Sequence, residues 1–164
     1  MEEADLTVKL NENIKFPYSK IYIYTDSSQY YGKNKCGIGF IVVNKRGNII
    51  LEFGKQLKNI TNNQGELLAI YYSLLFIKDN LSSIKKAVIY SDSLYSVKVL
   101  NRKWRYRSNK TLIEMILSEI DYLRKYIRLT ICWIKGHNGC PFNSRADQIA
   151  NIMRCMEVFN ELER

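Results

Sequence analysis

The chain contains 164 residues, of which 46% are hydrophobic and 25% are charged, and this composition excludes a disordered or fibrous protein. Its 25 lysines and arginines against 16 acidic residues give a formal net charge of +9. That excess favours a polyanionic partner over an acidic one, although solubility alone can produce it. A single histidine and four cysteines without a Cys-x-x-Cys pair argue against a Cys/His zinc site.

The segment 1–19 is predicted to be an N-terminal extension of one domain that spans residues 20–164. Its alternating residues Leu6, Val8 and Leu10 fit a short added strand about as well as they fit a flexible tail. The segment lacks the basic and apolar regions of a secretion signal, and no apolar run approaches the ~20 residues of a membrane span. We therefore expect an intracellular protein, in the cytoplasm or the nucleus.

Three strands are predicted in the first third of the domain. Residues 21–24 alternate isoleucine and tyrosine, and we expect this strand to end at a polar loop over residues 25–28. A second strand is predicted at 37–43 and a third at 49–55, with a turn between them. Together the three strands predict an antiparallel meander.

Helical spacing of apolar residues then replaces the alternation of a strand. The first helix is predicted around residues 67–78, with the polar group 61–63 ahead of it as cap material. Further along we predict a strand at 87–91, helices at 93–100 and 111–126, a strand at 129–134, and a last helix with an apolar stripe at Ala146, Ile149, Ala150, Met153 and Met156. This order predicts an α/β fold: a five-stranded mixed sheet, three antiparallel strands then two parallel ones, with helices on both faces.

Two of the predicted strands end with similar polar residues, and each ending contains an aspartate, Asp26 and Asp92. If these strands are parallel neighbours, the two carboxylates lie side by side at the edge where α/β sheets bind ligands. Such carboxylates repel each other, and a divalent cation is the usual remedy. An aspartate that only caps the following helix would give the same sequence pattern. Phosphatases and receiver domains also have an aspartate at the end of a strand.

Two further acids, Glu66 and Asp147, are each predicted in the first turn of a helix. An acid there can simply complement the helix dipole, a modest effect of ~0.3–1 kcal/mol. Each also lies on an element that could bring it to the two aspartates. The sequence therefore allows a group of four carboxylates without requiring one.

Five motifs in chain order resemble the type 1 ribonucleases H, which share their fold with the ribonuclease H domains of reverse transcriptases. The motifs are Tyr24-Thr25-Asp26-x-Ser28, Thr61-Asn62-Asn63-x-x-Glu66, Ser91-Asp92-Ser93, Trp133-Ile134-Lys135-Gly136-His137-Asn138-Gly139 and Asn143-x-x-x-Asp147. The last two motifs are the most specific, because the spacing from the histidine to the following Asn and Asp also matches. The resemblance extends from residue 21 to about residue 156.

The resemblance implies a role for the acids and for the histidine. Asp26, Glu66, Asp92 and Asp147 match the carboxylates that hold two Mg²⁺ ions in the family, with Mn²⁺ as an alternative ion. His137 is similar to the family's loop histidine, which assists proton transfer or product departure. Two metal ions about 3.5–4 Å apart activate a water and stabilise a leaving oxygen, which is the chemistry that phosphodiester cleavage needs.

The resemblance also implies contacts to a nucleic acid. Asn62, Asn63 and Asn143 match residues that contact the minor groove and 2′-hydroxyls of an RNA–DNA hybrid, and Thr61 matches a contact to a DNA-strand phosphate. Ser93 is expected among the substrate contacts as well. A contact to the 2′-hydroxyl is what distinguishes RNA from DNA.

The activity implied by the resemblance is metal-dependent endonucleolytic cleavage of the RNA strand of an RNA–DNA hybrid, by a monomer, leaving 3′-hydroxyl and 5′-phosphate ends. One alternative is a DNA-directed nuclease of the junction-resolvase kind, against which the pair Asn62-Asn63 and the loop around His137 count. The other is a catalytically silent nucleic-acid binding module. Retention of all four acids counts against it, because an unused cluster of like charges only destabilises a fold.

The sequence departs from the family pattern at three positions. Ser27 stands where the family usually has glycine, Gly65 replaces a larger residue, and Leu94 stands where glutamine is frequent. The basic region that some bacterial members carry is reduced to residues 98–110, which we call the basic segment. It has six lysines and arginines and no acid.

Aromatic residues interrupt the charges of the basic segment, a composition typical of nucleic-acid binding. We therefore predict that Trp104, Arg105 and Arg107 contact the substrate. A solvated charged surface without a binding role is the alternative.

Overall fold

The computed structural model describes residues 5–7, 16–30 and 34–157. The strands are β1 (Asp5–Thr7), β2 (Lys20–Gln29), β3 (Lys35–Asn44), β4 (Ile49–Lys58), β5 (Lys86–Ser91) and β6 (Arg128–Trp133). The helices are α1 (Asn62–Asp79), α2 (Leu94–Leu100), α3 (Lys110–Arg124) and α4 (Pro141–Cys155). Within the described part of the chain, none of these helices is both long and apolar enough to cross a bilayer.

The strands form one mixed sheet in the order β1-β4-β3-β2-β5-β6. Strands β2, β3 and β4 are antiparallel, and β5 and β6 run parallel to β2. This arrangement confirms the predicted five-stranded sheet. The short strand β1 extends it by pairing with β4 at Phe53–Lys55, so part of segment 1–19 is an added strand. Val8 and Leu10 lie outside the described residues.

Strand β2 is longer than the sequence predicts. Its pairing with β5 stops where Thr25 meets Ser91, but its pairing with β3 continues until Gln29 meets Cys36. The prediction of a polar loop at 25–28 was therefore wrong, because a long antiparallel neighbour keeps these polar residues extended. Asp26 sits just past the end of the parallel pairing, while still inside a strand.

The alternation of side chains along the sheet produces two cores. On one face, Ile23 and Ile89 pack with Leu74 of α1 and Ile116 of α3, and all four are fully buried. On the other face, Ile41 and Val43 pack with Ile149 and Met153 of α4. Helices thus cover both faces of the sheet, as the element order predicts.

Glycines in the sheet let helix α4 approach unusually closely. A Cβ on Gly37 would lie 1.8 Å from the backbone oxygen of Ala150, and one on Gly39 would lie 2.8 Å from Ile149 Cγ2. Gly54 leaves room in the same way for Met153. A side chain at Gly37 would displace the backbone of α4, and one at Gly39 or Gly54 would displace the side chains beneath it, so the helix rests almost directly on the strands.

Candidate active site

Three carboxylates converge beside the carboxyl end of the parallel strands. Asp26 of β2, Glu66 of α1 and Asp92, which directly follows β5, each offer an oxygen, and these oxygens all lie within 4.8 Å of one another. The register that pairs Thr25 with Ser91 sets the two aspartates side by side, as the sequence predicts. We call this group the acidic triad.

Asp26 and Glu66 are buried, Asp92 is half-buried, and the charges of the triad oppose one another. Burial and the charge of Asp92 raise the pKa of Asp26 to about 8. Burial and the charge of Asp26 raise the pKa of Glu66 well above its usual value, and burial also raises the pKa of Asp92. Carboxylates held this close favour either a shared proton or a cation.

One oxygen of the triad has no donor. Glu66 Oε2 is buried and makes no hydrogen bond to any described residue. The nearby Ser27 hydroxyl acts to lower the pKa of Glu66 but makes no hydrogen bond to this oxygen, which leaves the acceptor open to a cation. Three hard carboxylate ligands and an unsatisfied oxygen fit a divalent cation such as Mg²⁺.

The two acids on helices lie deeper in those helices than predicted. Helix α1 begins at Asn62, which places Glu66 at its fifth residue, and α4 begins at Pro141, which places Asp147 at its seventh. Neither helix has an acid in its first turn. The first-turn positions were wrong, and the helix dipole does not explain either acid.

Asp147 stands beside the acidic triad and is not one of its close members. Its charge is still near enough to help raise the pKa of both Asp26 and Asp92. Its Oδ2 accepts a hydrogen bond of 3.2 Å from Nδ2 of Asn151, one turn further along α4. The predicted set of four is thus a tight group of three with a fourth carboxylate next to it.

The loop after β6 closes against Asp92. A Cβ on Gly136 would lie 2.8 Å from Asp92 Oδ2, so a larger residue there would displace the Asp92 carboxylate. His137, next in the chain, is exposed and has a left-handed backbone with φ of 51°, a conformation uncommon outside glycine. The proximity of His137 acts to lower the pKa of Asp92 against the effect of burial.

Two further side chains lie against Asp92. Trp133 Nε1 donates a hydrogen bond of 3.1 Å to the Asp92 carbonyl, a contact that the sequence does not predict although Trp133 belongs to a quoted motif. Asn143 is buried, and its side chain favours the ionised form of Asp92 and so acts to lower the pKa of that carboxyl. The Oδ1 atom of Asn143 has no hydrogen-bond partner among the described residues.

The predicted polar group at the start of α1 is a helix cap with an exposed first turn. Thr61 Oγ1 accepts from the Gln64 amide at 3.2 Å, and the Thr61 amide donates to Gln64 Oε1 at 2.9 Å, which confirms the predicted cap. Asn62 and Asn63 are exposed beside it. Gln64 Nε2 also donates to Asn109 Oδ1 at 3.1 Å, so this turn is tied to the end of the basic segment.

Ser93 caps the next helix. Its Oγ accepts from the Ser96 amide at 3.2 Å and donates to Ser96 Oγ at 2.9 Å. The residue therefore has a structural role immediately after Asp92. Leu94, at the position of the expected glutamine, begins α2 and is 39% exposed.

The basic segment connects α2 to α3 on the surface. Trp104 is 47% exposed, and Arg105 and Arg107 are exposed beside it. Arg102 forms an ion pair of 2.7 Å with Asp121 of α3. The structure therefore leaves Trp104 and the two predicted arginines accessible to a ligand.

Two of the departures from the family pattern are neighbours in space. A Cβ on Gly65 would lie 2.8 Å from Cys36 Sγ and 3.2 Å from both Cβ and Oγ of Ser27. The side chains of Cys36 and Ser27 thus crowd the space into which a side chain at position 65 would project.

Comparison with known proteins agrees with this arrangement. The RNase H family model matches residues 18–153. The chain is 30% identical over 152 residues to a ribonuclease H of Clostridium botulinum, covering 86% of this chain and 98% of that protein. It is 31% identical over 151 residues to a ribonuclease H of Treponema denticola, covering 79% and 94%.

Solved structures show the same fold. RNase H1 from the archaeon Halobacterium salinarum superposes with a TM-score of 0.68 at 22% identity, covering 82% of this chain and 96% of that one. LC11-RNase H1, solved in complex with RNA/DNA hybrid, superposes with a TM-score of 0.67 at 20% identity, covering 80% and 94%.

Proposed function

Because this chain belongs to the ribonuclease H family and is a hydrolase of that family, we propose that it cleaves the RNA strand of RNA–DNA hybrids with the help of divalent metal ions. The observation that carries the proposal is the acidic triad, in which three carboxylate oxygens lie within 4.8 Å of one another and Glu66 Oε2 lacks a partner. A site built only for stability would avoid such repulsion.

Asp26, Glu66 and Asp92 are the residues that would hold the metal, with Asp147 beside them. When bound, a pair of Mg²⁺ or Mn²⁺ ions supplies an activated water and stabilises the leaving oxygen. The protein's part is to fix its carboxylates on two strands and a helix before the substrate arrives. Such preorganisation avoids reorganising charge during the reaction.

The surface beside the triad supplies contacts for the hybrid. Asn62 and Asn63 are exposed on the first turn of α1, about one turn before Glu66. Short amides such as these can hydrogen-bond a 2′-hydroxyl. The bond between Gln64 and Asn109 links that turn to the basic segment. One substrate could therefore contact both, with its phosphates attracted to Arg105 and Arg107 and a base or sugar against Trp104.

The loop that carries His137 gives the site a group able to move protons. The loop lies against Asp92 at Gly136, which supports a place for His137 near the carboxylates where the substrate would be cleaved. We assign His137 to proton transfer or to departure of the product. An exposed residue on a glycine-flanked loop can move between these tasks.

The direct test compares three labelled substrates of one sequence: an RNA–DNA hybrid, an RNA duplex and a DNA duplex, each with Mg²⁺. We expect cutting of the RNA strand of the hybrid only, with 5′-phosphate ends. Cutting of the DNA duplex would favour a DNA-directed nuclease. Binding of the hybrid without cutting in either Mg²⁺ or Mn²⁺ would favour a silent binding module.

A further inference from the structure

A line of hydrogen bonds connects Asp147 with the strand that carries Asp26. Asn151 of α4 donates to Asp147 and accepts from Ser28 of β2. We propose that Asn151 is a positioning residue, which orients the Asp147 carboxylate towards metal held at the acidic triad. This inference rests on the proposed function and assigns a role to a residue outside every motif discussed above.

The direction of each hydrogen bond in this line is determined by its outer member. Arg154 Nη1 lies 2.7 Å from Ser28 Oγ, and a guanidinium can only donate. The Ser28 hydroxyl therefore accepts from Arg154 and gives its own proton to Asn151 Oδ1, 2.5 Å away. The amide of Asn151 must then present Nδ2 to Asp147 Oδ2, at 3.2 Å.

Arg154 is itself held in place. Its guanidinium carbon lies 3.6 Å from the centre of the Tyr30 ring, a stacked arrangement that favours arginine over lysine. The line of bonds is thus anchored at its outer end and leads inward. A connected network of this kind orients its members more firmly than separate bonds do.

Asp147 needs such a restraint more than the other acids do. It is partly exposed, stands outside the close group of three, and projects from a helix on one face of the sheet. The terminal torsion of a carboxylate is soft, so without a partner its oxygens would sample several directions. The bond from Asn151 engages one oxygen and so fixes the plane of the group.

The position of Ser28 explains how the line of bonds relates Asp147 to the triad. Ser28 and Asp26 are two residues apart on β2 and point to the same face of the sheet. Asn151 and Asp147 are four residues apart and share one face of α4. The contact from Ser28 to Asn151 therefore joins the strand and the helix that carry these two acids.

A simpler role is also available to Asn151, because side-chain hydrogen bonds four residues apart support a helix locally. The two roles differ in what they do to metal binding. A helix-supporting residue changes stability alone, whereas partners of metal ligands affect metal affinity or activity by about 10–100-fold. Metal affinity in the absence of substrate is therefore the deciding quantity.

The experiment compares Asn151→Leu, Ser28→Ala and the control Gln148→Leu. Gln148 is an exposed residue of the same helix whose Oε1 accepts from Arg145, so its replacement removes an amide that makes no bond to Asp147. Mg²⁺ affinity is measured by calorimetry and by the Mg²⁺-dependent rise in melting temperature. The turnover number and KM for a labelled hybrid are measured across a series of Mg²⁺ concentrations.

We expect Asn151→Leu to weaken Mg²⁺ binding by about 10-fold. Turnover at low Mg²⁺ should fall and recover at high Mg²⁺, with KM for the hybrid unchanged. Ser28→Ala should weaken Mg²⁺ binding to a smaller extent, because the Asn151 amide remains but Ser28 no longer fixes its orientation. Gln148→Leu should match the parent in all of these quantities.

Parental Mg²⁺ affinity in Asn151→Leu, or an equal loss in Gln148→Leu, would overturn the inference. If Asn151→Leu fails to fold, Ser28→Ala decides between the same outcomes. A parent protein whose Mg²⁺ affinity depends on Asn151 but which cuts no hybrid would support the positioning role and contradict the proposed function.

Discussion

The acidic triad and the basic segment carry opposite charges on supports of very different kinds. Two acids of the triad belong to β2 and α1 and the third follows β5, and two of the three are less than 10% exposed. The basic segment joins two helices on the surface, and its Trp104 is 47% exposed. The acidic side chains are thus held in place by the core, whereas the exposed basic side chains can change conformation.

This contrast predicts different roles for the acidic triad and the basic segment. Groups that must hold reacting atoms at defined distances gain from rigid support, because small displacements are costly to catalysis. Groups that attract a polyanion act over several ångströms and need no such precision. Changes in the triad should therefore affect turnover, and changes in the basic segment should affect affinity and its salt dependence.

The largest effect is expected from Asp92→Asn. The change removes a proposed metal ligand and keeps side-chain volume, so hydrolysis of a labelled hybrid should fall by about 10³-fold or more. A bound metal supplies several kcal/mol of transition-state stabilisation, and ~1.4 kcal/mol corresponds to tenfold in rate. The melting temperature in chelator should not decrease, because the change relieves repulsion. Near-normal turnover would contradict the assignment of the site.

Next in size is His137→Ala, which tests the loop that lies against Asp92. Loss of a group that transfers protons should lower turnover by about 10²-fold or more, while affinity for the hybrid stays near the parent value. Single-turnover and steady-state rates separate the two roles, since a defect in product departure leaves the single-turnover rate intact. A raised KM with unchanged turnover would instead place His137 among the binding residues.

A third effect concerns stability, and it follows from the raised pKa of Asp26, about 8 against an ordinary 3.8. The folded protein keeps a proton that the unfolded chain releases, so this contribution is complete below about pH 4 and is lost as the pH rises through about 8. In chelator, thermal stability should therefore decline between about pH 5 and pH 8. Asp26→Asn should flatten that decline.

Mg²⁺ should oppose the same decline, because it binds the folded state and replaces the proton. At about 100 times its dissociation constant it adds about 2.7 kcal/mol to the free energy of unfolding. NaCl at matched ionic strength is the control. A melting temperature that responds equally to both salts would argue against a specific metal site.

The smallest effect is expected from replacing Arg105 and Arg107 together with alanine. Hybrid binding should weaken, and the slope of log affinity against log salt should fall by about one for each phosphate that the variant no longer neutralises. Turnover at saturating substrate should stay unchanged, because uniform binding energy does not affect the chemical step.

The matched control for the arginines is the double change of Lys45 and Arg46 to alanine. This change removes the same charge from the exposed turn between β3 and β4. The turn adjoins the start of β2, where Ile21 pairs with Asn44, and Asp26 lies five residues further along that strand. The control charges therefore lie away from the acidic triad. If both double variants lose affinity equally, the basic segment is only part of a general positive surface.

The neighbouring aspartates could be predicted from the sequence because local patterns carry the necessary information. The two similar strand endings place Asp26 and Asp92 side by side if their strands are parallel neighbours, and the structure confirms this adjacency. Predicting that Glu66 lies beside the two aspartates required the family resemblance, because its position in a helix does not indicate which way its side chain points. The full length of β2 was missed because it depends on pairing with β3, a contact between separate parts of the chain.

The contacts of Asn151 could not be predicted at all. Ser28 and Asn151 are separated by 123 positions, and neither belongs to a periodic pattern that would indicate their meeting. Ser27 and Gly65 stand in the sequence as two unrelated departures from the family pattern. Only the structure shows that they are neighbours, with Ser27 and Cys36 both crowding the space that a Cβ at Gly65 would enter.

The glycines under α4 set how closely that helix approaches the sheet. The nearest atoms at Gly37 belong to the backbone of Ala150, whereas at Gly39 and Gly54 they belong to the side chains of Ile149 and Met153. A side chain can yield to an added methyl group by changing its rotamer, but a helix backbone cannot. One methyl group at Gly37 would therefore lift the helix that carries Asp147, and would act as an active-site lesion from outside the active site.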